Sequence, residues 1–135
     1  MSIPLLVGER SKPELTVRPL SVGCLIFEQM DQIDFTGPFE VLSRMPDTKF
    51  QIIGKELSPV RDVQGLLLSP DMGIAEAGLF DVLLVPGGYG QQALMHDEEV
   101  LGLIRKHFAA ERLLFSVYRG NSLWTKRNTV AFRYT

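Results

Sequence analysis

The sequence predicts an α/β fold in which a parallel sheet carries helices on both faces. Three observations lead there. Short, continuously apolar runs recur at 20–27, 50–53, 80–85 and 113–117, with the length and hydropathy of strands buried on both sides. Stretches of helical character lie between them, which is the alternation of a doubly wound sheet. The run Phe80–Val85 also passes straight into Pro86-Gly87-Gly88-Tyr89-Gly90. A glycine turn at the carboxyl end of a strand is where open α/β sheets meet their ligands.

The first strand is expected at Leu20–Phe27, after an irregular leader (1–19) with prolines at 4, 13 and 19. Glu28–Asp34 reads as a polar connection. Thr36-Gly37-Pro38 then opens a helix, with Pro38 at the first helical position, where its missing N–H costs nothing. Glu40 in the first turn suits the helix dipole, and Phe39, Val41, Leu42 and Met45 form the apolar face. Pro46 stops that helix. Phe50–Ile53 is the second strand. Ser58–Ser69 reads as a small β excursion that turns at Gly65, and Pro70–Ala77 as a short helix or loop. After Phe80–Val85, Gln91–Met95 allows one helical turn. Asp97-Glu98-Glu99 caps a longer helix whose apolar face is Val100, Leu103, Ile104, His107 and Phe108. Leu113–Val117 is the last strand and the expected centre of the active-site edge.

Composition bounds the function. The 135 residues suffice for one domain, and 45% hydrophobic content supports a core. A formal charge of −2 matches neither a nucleic-acid binder nor a polybasic membrane protein. A single cysteine excludes an internal disulfide, and two histidines are too few for a metal motif. No apolar run nears the roughly 20 residues that span a bilayer, and the amino end lacks a basic signal-peptide region. The expectation is therefore a cytoplasmic protein with no membrane or nucleic-acid partner and no metal.

Three places could carry chemistry. Asp34, held at a helix start in a half-buried crevice, suits a general acid or base, although a lone aspartate there also serves as a loop or cap residue. Paired glycines at Gly87 and Gly88 let backbone N–H groups approach a ligand, though they also make a plain turn. Val117-Tyr118-Arg119-Gly120 lies where a nucleophile elbow would be, but a phenol is a weak nucleophile. Cys24 sits inside an apolar strand and reads as a small buried hydrophobe. His107 reads as a packed histidine, His96 as a loop residue, and Tyr89 as either a crevice residue or a cover for the glycines.

Several stretches together resemble the ThiJ/PfpI family of the class I glutamine amidotransferase-like superfamily, nearest its isonitrile hydratase branch. They are Gly23-Cys-Leu-Ile-Phe, Gln32-Ile-Asp-Phe-Thr-Gly-Pro-Phe-Glu-Val-Leu-Ser, Phe80-Asp-Val-Leu-Leu-Val-Pro-Gly-Gly, Ala93-Leu-Met, Asp97-Glu-Glu-Val-Leu and Ser116-Val117. The resemblance implies a flavodoxin-like doubly wound sheet, incomplete at the carboxyl end here, and usually a homodimer. It implies a cofactor-free lyase that adds water to an isonitrile to give an N-substituted formamide. Asp34 would shuttle protons, and Thr36, Gly87, Gly88, Tyr89 and Arg119 would contact substrate. The nucleophile would be a cysteine following Ser-Val. Tyr118 occupies that position, so the chain as written is expected to be inactive. The alternative is a non-catalytic binding or interaction domain of the same superfamily.

The resemblance divides the chain into the leader, a 20–117 domain and a 118–135 tail. Charge changes at the same boundary: the first 117 residues hold 10 basic and 16 acidic groups, the last 18 hold 4 basic and no acidic ones. A codon string for Cys-Thr-Gly-Ala-Ile-Leu-Cys-Gly-Gln-Ser-Gly-Ile-Leu-Leu-Leu-Ser-Gly-Thr reads, two bases displaced, as Tyr-Arg-Gly-Asn-Ser-Leu-Trp-Thr-Lys-Arg-Asn-Thr-Val-Ala-Phe-Arg-Tyr. That is 118–134 as written. A shift of reading frame after Val117 is the expected origin of the tail.

Overall fold

The computed structural model describes residues 18–116. Most of the leader, Val117, and the tail with Tyr118 and Arg119 lie outside the described residues. In chain order the elements are β1 (Leu20–Leu25), α1 (Ile33–Leu42), β2 (Thr48–Gly54), β3 (Val60–Arg61), β4 (Leu67–Leu68), β5 (Met72–Gly73), a 3-10 turn (Ile74–Glu76), β6 (Val82–Val85), α2 (Gln91–Leu94), α3 (Glu98–Ala109) and β7 (Leu113–Ser116).

Five strands form a sheet in the order β5-β2-β1-β6-β7, with every pair parallel. β1 is central. It pairs with β2 from Leu20↔Thr48 to Leu25↔Ile53, and with β6 from Val22↔Val82 to Cys24↔Leu84. The chain leaves β1 in one direction through α1 and leaves β6 in the other through α3. Right-handed crossovers in opposite directions place these helices on opposite faces. The strand order reverses between β1 and β6, so the ligand-bearing crevice of this flavodoxin-like sheet falls beyond their carboxyl ends. Val22, Cys24, Ile53, Leu83 and Val85 are fully buried, as strands covered on both faces require.

The 58–69 excursion is a hairpin, β3 against β4, that turns at Gly65 with φ +92°. Buried Asp62 organises it: its Oδ1 accepts the Gln64 and Leu66 N–H groups at 2.9 and 2.7 Å. The 70–77 segment differs from a plain helix or loop, because Met72–Gly73 pairs with Ile53–Gly54 as a short edge strand before the 3-10 turn. Two residues carry too little alternation for a strand to show in the sequence.

Helix α1 departs from expectation in two ways. It begins at Ile33, so Pro38 lies inside it, Asp34 is the acidic residue of the first turn, and Glu40 comes later. Its inward face is Phe35, Phe39 and Leu42, with Phe39 edge-on to Phe50 of β2 at 5.0 Å. Val41 falls off the i, i+4, i+7 stripe of Phe35, Phe39 and Leu42, and Met45 lies beyond the helix end; both are exposed. α3 is capped as expected: Asp97 Oδ1 accepts the Glu99 and Val100 N–H groups at 3.0 and 3.3 Å. Its buried face contains Leu101, while Phe108 is exposed. β7 is an edge strand among the described residues and not a central one. Leu114 is buried there, and Leu113 and Phe115 are exposed.

At the opposite end of the sheet Asp81 ties the strands together. Its carboxylate takes both Arg18 guanidinium nitrogens at 2.7 Å, the Ser21 N–H at 2.9 Å, and Arg112 at 3.4 Å. Arg18 and the Ser21 amide hold its carboxyl far below the usual carboxylate range.

Candidate functional site

The site is built from two loops at the reversal of strand order. One leaves β1 and enters α1; the other leaves β6 as Pro86–Gly90. They are laced through the backbone. Asp31 N–H donates to Gly87 O at 2.9 Å, and Gly90 N–H donates to Gln29 O at 3.1 Å. Arg61 O of the hairpin accepts the Gln29 N–H at 2.8 Å, and Gln29 is held in the left-handed region at φ +64°. Gly88 lies at φ +125°, where a Cβ would stand 2.6 Å from Asp31 N and 2.7 Å from Gln29 O. A Cβ at Gly90 would run into Glu28 O. These glycines exist because two backbones meet here with no room for a side chain.

Asp34 lies in the first turn of α1 and is buried. Gly87 N–H donates to its Oδ2 at 3.1 Å. Burial pushes the carboxyl above its ordinary range, the Gly87 N–H pulls it back, and neighbouring Asp31 pushes it further up. A buried carboxyl on one amide anchor, with a raised proton affinity, can give and take a proton nearer neutral pH than a free aspartate.

The sequence therefore points to Asp34 and the glycine turn as one site, and the fold joins them. It also changes the role of Gly87, whose N–H is directed at Asp34 and so positions the carboxyl. Thr36 is in the same turn of α1, with its hydroxyl 2.8 Å from Gln32 Oε1 and 3.1 Å from Gln32 O. Tyr89 does not cover the glycines; it is 79% exposed. Cys24 is enclosed in β1 and burial pushes its thiol up, as an inert core cysteine. His96 is exposed. His107 is fully buried: its Nε2 accepts the Phe80 N–H at 2.9 Å and its Nδ1 meets Leu103 O at 2.8 Å. Among the described residues no group of three or more His, Cys, Asp or Glu side chains converges as a metal would need. Sequence reasoning missed Asp31 and Gln29, which shape the site through backbone atoms. The acidic Asp31 three residues before Asp34 was the available signal for the first; none marks the second.

A flavodoxin-like parallel sheet with a buried acid facing a Pro-Gly-Gly turn at its switch point defines an α/β protein with its crevice at the carboxyl ends of β1 and β6. The chain belongs to the DJ-1/PfpI family, whose sequence profile matches residues 20–133. It is 40% identical over 102 residues to an isonitrile hydratase from Pseudomonas putida, covering 76% of this chain and 45% of that protein. It is 35% identical over 78 residues to a protein from the cpoL 5′ region of Streptomyces lividans, covering 55% of each. The chain thus spans about half the length of these relatives. In structure it is similar to a ThiJ/PfpI family protein from Pseudomonas syringae, with a TM-score of 0.74 and 24% identity over 87% of this chain and 51% of that one. Drosophila melanogaster DJ-1beta gives a TM-score of 0.74 at 21% identity, covering 82% and 61%. These two likenesses show the shared fold. No described helix is long and apolar enough to cross a membrane.

Proposed function

We propose that this chain carries the acid–base half of an isonitrile hydratase site. The observation that carries the reading is the buried Asp34 carboxyl anchored by Gly87 N–H, and the 40% identity to an isonitrile hydratase supports it. In the reaction one water adds across the isocyanide. Its oxygen ends on the terminal carbon, and its two hydrogens end on carbon and nitrogen, giving the formamide. In this reading Asp34 carries those protons, and the Gly88 amide, next along the turn, donates to the substrate. Thr36, Tyr89 and Arg119 complete the proposed contact set. The family's thiolate is the missing part, because Tyr118 follows Ser116-Val117. The chain as written is accordingly an inactive member, with a homodimer and a cytoplasmic setting as further proposals from the family.

The frame-shift origin of 118–135 belongs to the same reading. The codon correspondence and the change in charge support it; the family match running to residue 133 is the finding it must accommodate. A non-catalytic binding domain is the second reading, favoured by Tyr118 itself.

The test is an isocyanide-consumption assay on two chains. The 135-residue chain is expected to give no turnover. A chain carrying Cys-Thr-Gly and the continuation of the alternative frame after Val117 is expected to turn over, and Asp34→Asn in that chain should lower the rate about 100-fold or more. Turnover by the 135-residue chain overturns the inactivity. A transcript that does not decode to Cys-Thr-Gly in another frame overturns the frame shift and favours the binding domain.

A further inference from the structure

A cleft of about 510 Å³ opens at the carboxyl ends of β1 and β2, against α2 and the amino end of α3. It includes none of Asp34, Thr36, Gly87 or Gly88. The two places share only the wall where Gln29 meets Gly90. We propose that this cleft is a second binding site, for a small organic cation: a primary ammonium on a single aromatic or aliphatic ring.

Shape and wall chemistry define the ligand's body. Leu25, Phe27, Val60, Leu94 and Val100 line the cleft, and the volume lies within the range of small-molecule pockets, roughly 300–1,000 Å³. Charge on the wall defines its head. Glu28, Glu56, Lys55 and Asp97 also line the cleft. Lys55 and Asp97 are committed to each other as an ion pair. Asp97 has no oxygen to spare, since Oδ1 caps α3 and Oδ2 takes Lys55. The two glutamates are left. Glu56 has no ion-pair partner among the described residues, and Glu28 receives only the Arg61 N–H at 3.3 Å. Both are exposed, so an ammonium can reach them without stripping a buried carboxylate of water. A carboxylate ligand of the same shape would meet net negative charge, and a neutral one would gain only the apolar wall.

The experiment follows amide shifts of the full 135-residue chain titrated with benzylammonium, benzyl alcohol and benzoate at low salt. Shifts are expected at 55–60 and 90–94, with benzylammonium bound about tenfold more tightly than benzoate. Glu28→Gln with Glu56→Gln should abolish that preference while leaving benzyl alcohol unaffected. Ala93→Phe, or Ser58→Phe from the facing wall, should weaken all three ligands about tenfold or more; both substituted residues are exposed. Asp34→Asn should leave binding unchanged, which separates this cleft from the proposed hydratase site. Equal binding of benzylammonium and benzoate, shifts centred on Asp34 and Gly87, no shifts at millimolar ligand, or binding that survives the cleft-filling substitutions would each overturn the proposal.

Discussion

Asp34 sits where its charge is unwelcome. Burial raises its proton affinity, and the single Gly87 N–H offsets this only in part. The native state therefore holds this proton more tightly than the unfolded chain does. Its share of stability is complete below the unfolded carboxyl pKa of about 3.9 and is lost as pH rises through the native value. An asparagine in its place could still accept from Gly87 through its amide oxygen and would carry no charge. Asp34→Asn is expected to raise the melting temperature by a few degrees at pH 7, with the gain shrinking toward pH 4; equal melting of the two proteins at pH 7 would contradict the buried-charge account. His107 has the opposite sign. Burial lowers its proton affinity, the Leu103 carbonyl opposes this, and Lys106 and Arg112 lower it further. Its stabilising contribution is present above the unfolded value of about 6.5 and falls as the pH drops below it. His107→Phe leaves the buried Phe80 N–H without its acceptor, at a cost of about 1–3 kcal/mol. Urea unfolding should show that difference at pH 7.5 and a smaller one at pH 5.5.

At the scale of elements, the Pro86–Gly90 turn is the joint on which the site depends. Gly88 combines φ +125° with three backbone atoms of Gln29–Asp31 within 2.8 Å of its absent Cβ, and Gly65 combines φ +92° with open space. Alanine at 65 costs only the left-handed penalty, about 1–2 kcal/mol. Alanine at 88 must also push the Gln29–Asp31 backbone aside, so Gly88→Ala is expected to cost roughly 3 kcal/mol or more and to move the Gly87 amide resonance. Matched melting of the two variants would show that the loops are not in hard contact. The buried strands and α3 were legible because long-range burial leaves an uninterrupted apolar run or a 3.6-residue stripe. The start of α1 was not. Proline is so well suited to a first helical turn that Pro38 masked a helix beginning five residues earlier, and with it the inward Phe35 that fixes the buried stripe. β5 was hidden because two residues have no period.

For the whole molecule, the site was legible as parts and not as an arrangement. Asp34 and Gly87 are 53 positions apart and meet only because β1 and β6 are neighbours in the sheet. That adjacency also explains why the Gly87 amide serves the carboxylate, a point no local motif could reveal. The same sheet order makes β7 the outermost of the described strands, with no described strand on its outer edge, Leu113 and Phe115 exposed on it, and Phe108 of α3 exposed as well. An exposed apolar edge strand is a template for pairing with another chain. The chain is therefore expected to self-associate through β7, and sedimentation should show a mass that climbs with concentration across the micromolar range. A lysine on the open face opposes edge pairing without entering the core, so Phe115→Lys should weaken that association about tenfold or more while leaving the melting temperature near its original value. Val41→Lys on the exposed side of α1 is the control. Association abolished at Val41 and unchanged at Phe115 would assign the contact to the α1 face, and a strictly monomeric wild-type chain would show that the β7 edge is already protected in solution.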